Sequence, residues 1–151
     1  MGLLLWCKIF VGNSNRGINL NACSLTIENQ TGTASNLQIA NNTAVGIIGY
    51  NSDVMLSNLL IAKNGTGLNN FLSRSVIVGT TFGGPIGANT RDIKADINST
   101  VDIDDWGGQT SFLSLSETSF ICGNGGVIYY ASPYVAQPLL DYEGGCLKAA
   151  Q

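Results

Sequence analysis

Two short segments in the second half of the chain, residues 92–97 and 101–104, alternate charged residues with apolar ones. In β-strands this alternation places the charged side chains on one face and the apolar side chains on the other. The acids predicted to face outward together are Asp92, Asp96, Asp102 and Asp104. Carboxylates on one face suit either the paired acid and base of a glycoside hydrolase or a Ca²⁺ site. The alternative is that they are solvated acids that keep a weakly charged chain soluble.

The chain contains no histidine. A nucleophile activated by histidine is therefore excluded, and general acid–base catalysis would depend on carboxylates. The four cysteines, Cys7, Cys23, Cys122 and Cys146, lack the Cys-x-x-Cys spacing of a zinc site, so we expect no metal there. We interpret them as buried single thiols. Disulfides between sequence neighbours are the alternative if the chain matures in an oxidising compartment.

Aromatic side chains on a rigid β-surface are candidates for stacking against sugar rings. The residues that qualify are Trp106, Tyr129, Tyr130 and Tyr134. Because aromatic residues are also enriched at subunit contacts and interfaces, the alternative is that they lie at a cap or between subunits.

The charge balance excludes one class of partner. Seven basic and ten acidic residues give a net charge of −3, and only 11% of the residues are charged. Nucleic-acid binding depends chiefly on Lys and Arg at phosphates, so we expect none. The apolar run at residues 3–11 is interrupted by Lys8 and is half the roughly 20 residues of a membrane-spanning helix. We predict a first strand or cap there and no membrane insertion; an export signal, or a start inside a longer protein, is the alternative.

A repeat indicates the architecture that positions these residues. Residues 35–42 return at 57–64 with six of eight positions identical and an offset of 22. Such a period, with alternating apolar residues and a closing Asn, is typical of a parallel β-solenoid. The inward residues of the repeat and of the acidic segments would be Leu37, Ile39, Leu59, Ile61, Ile93, Ala95, Ile97, Val101 and Ile103. Met55 and Leu60 would form an outward apolar stripe.

The asparagines that close successive strands, Asn29, Asn42 and Asn64, are predicted to stack as a hydrogen-bonded ladder. Four Asn-x-Thr sequons also occur, at Asn29, Asn41, Asn64 and Asn98. They matter only if the chain passes through a glycosylating pathway.

The sequence resembles the right-handed parallel β-helices of the pectate-lyase-like superfamily. The resemblance rests on the Leu-x-Ile strands at Leu25, Leu37 and Leu59 and on the turn asparagines, and it extends over residues 17–132. Residues 120–129 are similar to the Phe-x-x-Asn and Gly-Gly-Ala-Ile motifs of polymorphic adhesin passengers, with Asn one residue late and Val127 in place of Ala.

This resemblance implies an all-β fold, a right-handed parallel β-helix with terminal caps, in which the repeat sets coils of about 22 residues. We expect one domain over residues 1–151: an N-terminal cap at 1–16, regular coils at 17–82, less regular coils at 83–132 and a C-terminal cap at 133–151. The superfamily includes polysaccharide lyases, polygalacturonases, phage tailspikes and adhesin passengers. Of the polygalacturonase motifs, only Asp104-Asp105 is present.

We therefore predict a non-catalytic module for structure or attachment at an extracellular, cell-surface or virion location. It would contact surface polysaccharide or a partner protein. A polysaccharide lyase or glycoside hydrolase that uses the outward aspartates is the alternative. We also expect a homo-oligomer, a trimer before a dimer, with Met55 and Leu60 at its seam, because exposed apolar stripes usually mark contact surfaces.

Overall fold

The computed structural model describes residues 8–11, 15–29, 37–104, 109–114, 119–130 and 147–149. All regular structure within these ranges is β-strand, and they contain no helix that could cross a membrane. The strands in chain order are β1 (Lys8–Val11), β2 (Arg16–Asn21), β3 (Ser24–Glu28), β4 (Gln38–Ala40), β5 (Val45–Tyr50), β6 (Asp53–Ser57), β7 (Leu60–Ala62), β8 (Thr66–Phe71), β9 (Arg74–Val78), β10 (Thr81–Phe82), β11 (Arg91–Asp96), β12 (Thr100–Asp104), β13 (Ser111–Phe112), β14 (Phe120–Cys122), β15 (Val127–Tyr130) and β16 (Leu147–Ala149).

The strands form three sheets that the chain visits in rotation. Sheet A has the order β1-β2-β5-β8-β11-β14, sheet B the order β16-β15-β12-β9-β6-β3, and sheet C the order β13-β10-β7-β4. From β2 onward the chain passes through sheets A, B and C and then returns to sheet A, and we call one such passage a circuit. Neighbouring strands are parallel except for β1, which pairs antiparallel with β2. The fold is therefore all-β with parallel strands stacked in sheets, an arrangement compatible with a parallel β-helix.

The circuits differ in length. Gln38 pairs with Leu60, and this pairing matches the offset of the sequence repeat. The circuit is slightly shorter where Val45 pairs with Thr66, and it is much longer where Thr81 pairs with Ser111. Among the described residues, the added length includes residues 83–90 between β10 and β11, and β11 remains in parallel register with β8.

Apolar side chains from the three sheets meet in one core. The predicted inward residues Ile39, Leu59 and Ile61 are buried in it, as are those of the acidic segments at positions 93, 95, 101 and 103. Two predictions were wrong. Leu37 is 40% exposed because it precedes β4 at a turn, and Ile97 is 41% exposed because it follows β11 at a corner with a φ of 48°.

The predicted Met55 and Leu60 stripe is also wrong. Leu60 is buried with 5% exposure, and the loop after β10 packs over it: a Cβ on Gly84 would lie 3.5 Å from its Cδ1 atom. Met55 is half-buried on the outer face of sheet B. The two residues therefore belong to different surfaces.

Asparagine side chains connect successive circuits at the corner between sheets C and A. Asn42 Nδ2 donates to Asn64 Oδ1 at 2.9 Å, and Asn64 Nδ2 donates to Asn89 Oδ1 at 3.0 Å. The same oxygens accept the backbone N–H groups of Asn42 and Asn64. Asn29 belongs to a different row, because it follows β3 of sheet B and its backbone N–H donates to Ser57. Residues 42, 64 and 89 therefore form the ladder.

The other two corners use hydroxyl groups in the same way. Between sheets A and B, the backbone N–H of Ser52 donates to Ser73 Oγ, and that of Ser73 donates to Ser99 Oγ, both at 3.1 Å. Between sheets B and C, the backbone N–H of Thr80 donates to Thr110 Oγ1 at 3.4 Å. Each corner thus satisfies a buried backbone donor with a side-chain oxygen from the next circuit.

The cysteines differ from the leading expectation of single thiols. Cys23 and Cys122 are both disulfide-bonded, and no described cysteine is free. Cys122 lies on β14, four strand positions from β2 in sheet A, or about 19 Å at the usual strand spacing. Because Cys23 directly follows β2, that separation is far beyond disulfide reach, so the two residues belong to separate bonds. Cys7 and Cys146 lie outside the described residues.

Asn64→Ala is expected to lower the free energy of unfolding by about 3 kcal/mol, because it removes the acceptor for the buried N–H of Asn42 and the donor to Ile39. Asn19→Ala, on the outer face of β2, is the matched control and should cost less than about 0.5 kcal/mol. Urea denaturation measures both. Equal effects would contradict the structural role of the ladder.

Reduction of the disulfides should destabilise the fold by about 2–5 kcal/mol and make Cys23 and Cys122 reactive to alkylation. Mass spectrometry of the folded protein, alkylated with and without prior reduction, measures this. Labelling of either residue before reduction would contradict the bonded state.

Candidate functional site

The outer face of sheet B carries a groove that combines charged, polar and apolar side chains. The groove has a volume of about 200 Å³ and crosses β3, β6 and β9. Because alternate residues of each strand face outward, register places side chains from successive circuits side by side. The outward residues that line this sheet B groove are Ser24, Thr26, Asp53, Met55, Arg74 and Val76.

An ion pair borders the groove. Arg74 Nε and Nη2 both donate to Asp102 Oδ2, at 3.2 and 3.1 Å. The Arg74 side chain remains 65% exposed, and that of Asp102 is 27% exposed. The guanidinium is thus oriented by Asp102 while much of it remains accessible, which suits it to donate hydrogen bonds to a bound molecule.

A predicted catalytic residue and a predicted sugar-binding residue lie next to each other beside the groove. Asp102 and Tyr129 are registered partners on β12 and β15, in the outward row that continues from Met55 and Val76. Asp104 is on the same strand as Asp102, two residues further along. Tyr130, the residue after Tyr129 on β15, is partly buried and packs against the core. Trp106 and Tyr134 lie outside the described residues.

Asp96 lies on the outer face of sheet A, apart from the groove. Its carboxylate accepts hydrogen bonds from Asn124 Nδ2 at 2.7 Å and from the backbone N–H of Ile97 at 2.9 Å, and Lys94 Nζ lies 3.1 Å from it. The hydrogen bond from Asn124, assisted by Lys94 and Ile97, lowers the pKa of Asp96 in spite of partial burial. The local partners therefore keep this acid ionised.

Asp92 is buried, with 3% exposure, so its predicted outward position is wrong. Asp92 is on β11. The residues registered with it on the three preceding strands of sheet A are all glycines, at positions 17, 46 and 67. This row packs against the asparagine ladder: a Cβ on Gly46 would lie 3.1 Å from Asn64 Nδ2. At Asp92 the side chain instead reaches the end of the ladder, where Asn89 Nδ2 donates to Oδ1 at 2.9 Å.

Burial raises the pKa of Asp92 to about 6, although hydrogen bonds from Asn89 and Ser119 act in the opposite direction. The four aspartates do not converge: Asp92 and Asp96 are on β11 of sheet A, where Asp92 is buried, and Asp102 and Asp104 are on β12 of sheet B. Among the described residues, no group of three or more His, Cys, Asp or Glu side chains is placed to hold a metal ion.

A second, shallower depression of about 310 Å³ lies beside the asparagine ladder, lined in part by Asn41, Thr43, Lys63 and Thr90. It adjoins two of the sequons, which differ in access. Asn41 is exposed, whereas Asn64 is 3% exposed and engaged in the ladder. The depression contains none of the predicted site residues other than the ladder asparagines.

Sequence reasoning missed Arg74 and Asn89. Arg74 begins β9 at the position registered with Asp53, a relation that only the strand pairing reveals. Asn89 lies further along the chain from Asn64 than Asn64 does from Asn42, so a search at the fixed offset of the repeat passes over it.

Asp92→Asn should remove a pH dependence of stability. The raised pKa means that the folded chain binds a proton more tightly than the unfolded chain, so the wild-type protein should lose up to about 3 kcal/mol as the pH rises from 4 to 6. The lowered pKa of Asp96 acts below pH 4, outside this window. Denaturation at several pH values measures the difference between the two proteins. Identical slopes between pH 4 and 6 would contradict the assignment.

Comparison of the chain with models of protein families, with curated proteins and with solved structures finds no match.

Proposed function

We propose that this chain is a right-handed parallel β-helix module that attaches to surface polysaccharide through the sheet B groove without cleaving it. The observation that carries the proposal is the arrangement of Arg74, Asp102 and Tyr129 beside Met55 and Val76 on one rigid face.

The β-helix part of the proposal rests on the rotation of the chain through three sheets with parallel register. Strands of one sheet that recur after each circuit, with side-chain ladders at all three corners, are what a stack of coils requires. The resemblance of the sequence to the pectate-lyase-like superfamily implies that the coils wind in a right-handed sense.

Polysaccharide suits the chemistry of the groove. Sugar hydroxyls accept from a guanidinium and donate to carboxylates such as Asp53 and Asp102, while their C–H faces pack on apolar and aromatic surface. Tyr129 is half-buried and registered with Asp102, so it adds aromatic surface next to that carboxylate. An open groove across parallel strands fits an extended chain better than a compact ligand.

Attachment is favoured over catalysis because Asp92 is buried and Asp96 is on sheet A, so that only Asp102 and Asp104 of the four aspartates share a face. The second candidate, a polysaccharide lyase or glycoside hydrolase, is supported by one observation: Asp102 is held by Arg74 at the edge of the groove. In that case Asp102 would carry the chemistry together with a second groove acid, Asp53.

An extracellular, cell-surface or virion location is supported by the disulfides of Cys23 and Cys122. Disulfides persist in oxidising compartments and are rare in the cytosol.

Affinity electrophoresis through gels that contain neutral or acidic bacterial polysaccharides tests the proposal. Arg74→Ala and Tyr129→Ala should each weaken binding at least tenfold, because they remove the oriented donor and the aromatic surface. Arg91→Ala, an exposed arginine on sheet A, is the matched control and should bind as the wild type does. Equal retention of the wild type and the two groove variants would overturn the groove as the binding site.

A parallel assay for new reducing ends or unsaturated products separates the two candidates. The attachment module should release neither product. Product formation that Asp102→Asn abolishes would favour the enzyme.

A further inference from the structure

Both hydrogens of the Asn64 side-chain amide are used inside the fold. Nδ2 donates to Asn89 Oδ1 at 3.0 Å and to the backbone carbonyl of Ile39 at 2.9 Å. N-glycosylation of an Asn-x-Thr sequon replaces one of the two amide hydrogens with a bulky sugar. A glycan at Asn64 would therefore break one of these hydrogen bonds and place a sugar where the residue is 3% exposed. The asparagine ladder and a glycan at Asn64 exclude each other.

The sequon at Asn41 lies on the outside of the same corner. Asn41 directly follows β4, with a φ of 63°, and it is exposed. Within the part of the chain that the structure describes, no hydrogen bond holds its side chain. Thr43, which completes the sequon, is exposed as well. The amide nitrogen of Asn41 can therefore carry a sugar without any change in the sheets or the ladder.

The other two sequons have less room around the amide. Asn29 is 8% exposed. Asn98 is exposed, but its amide oxygen packs against the turn after β14, where a Cβ on Gly125 would collide with Asn98 Oδ1. Of the four sequon asparagines, Asn41 therefore combines exposure with open space.

The depression beside the ladder suits a sugar attached at its edge. Its volume of about 310 Å³ is at the lower end of the range for small-molecule sites, and Asn41 is part of its lining. Thr43, Lys63 and Thr90 line it too, and all three are exposed. Their hydroxyl and ammonium groups donate hydrogen bonds of the kind that the oxygens of a sugar accept.

We propose that Asn41 carries an N-linked glycan in the folded protein and that Asn64 does not. In the transfer reaction, Asn41 Nδ2 attacks C1 of an oligosaccharide that a separate transferase supplies on a lipid diphosphate. The bond between Nδ2 and C1 forms, the bond between C1 and the phosphate oxygen breaks, and the Nδ2 proton passes to a base as the lipid diphosphate leaves. This modification rests on the proposed extracellular location, which the disulfides of Cys23 and Cys122 support, and is independent of the sheet B groove.

The timing of the transfer makes folding the step that separates the two sites. Transfer takes place on the chain as it is made, before the ladder has formed, so Asn64 is open to modification at that stage. A chain modified at Asn64 lacks a ladder hydrogen bond and has no space for the sugar at a buried corner, so it does not fold. The folded, secreted protein therefore has a glycan at Asn41 and an unmodified Asn64.

Secretion of the full chain from insect cells, behind an export signal, tests the assignment. Site-resolved mass spectrometry of the secreted protein should find a glycan on Asn41 and none on Asn64. Thr43→Ala should lose the glycan of Asn41, whereas Thr43→Ser, the matched control, should keep it, because a serine hydroxyl also completes the sequon. An unmodified Asn41 in the secreted wild type overturns the proposal, as does a glycan on Asn64 in protein that unfolds cooperatively in urea.

Urea denaturation of the two secreted Thr43 variants tests whether the glycan lies outside the packed structure. The glycosylated Thr43→Ser protein should unfold at the same urea concentration as Thr43→Ala or at a higher one, because a sugar on Asn41 displaces no buried group. A lower midpoint for the glycosylated protein would contradict the exposed position of the site.

Discussion

Backbone donors at the corners set the main constraint on this fold. A strand in the middle of a sheet satisfies its N–H groups through its neighbours, but the chain leaves the sheet direction at every corner, and a buried donor there needs another acceptor. Asn64, Ser73 and Thr110 supply that acceptor at the three corners, each from the circuit that follows. The parallel register of the sheets, and hence the outer face that carries the groove, depends on these side chains.

The same constraint explains which parts of the fold the sequence could predict. The repeat at 35–42 and 57–64 is visible because both copies contain a strand and its corner asparagine, and both are constrained by packing and by hydrogen bonding. Serine and threonine at the other corners are too common in this chain to stand out. Period-two alternation identified the core of β11 and β12 correctly, but Ile97 falls just beyond the strand, where alternation no longer specifies a face.

The candidate site was harder to predict because strand alternation assigns a face without assigning a sheet. Asp96 and Asp102 are close in sequence and both lie on outer faces, yet the corner at Ser99 sends them to different sheets. Conversely, Arg74 and Asp102 are far apart in sequence and form an ion pair between adjacent circuits. Asp92 deviates for a third reason, because its row faces the ladder and not solvent.

The asparagine ladder also has a direction. Each amide donates through Nδ2 toward the next circuit, from Asn42 to Asn64 to Asn89, so the three side-chain dipoles are aligned head to tail. Aligned dipoles polarise one another, as peptide groups do along a helix. The positive end of this row of dipoles is the last donor, Asn89 Nδ2. That donor faces the carboxylate of Asp92. The stack thus creates a local positive potential in its interior, which allows an acid to occupy a position where earlier circuits have only glycine.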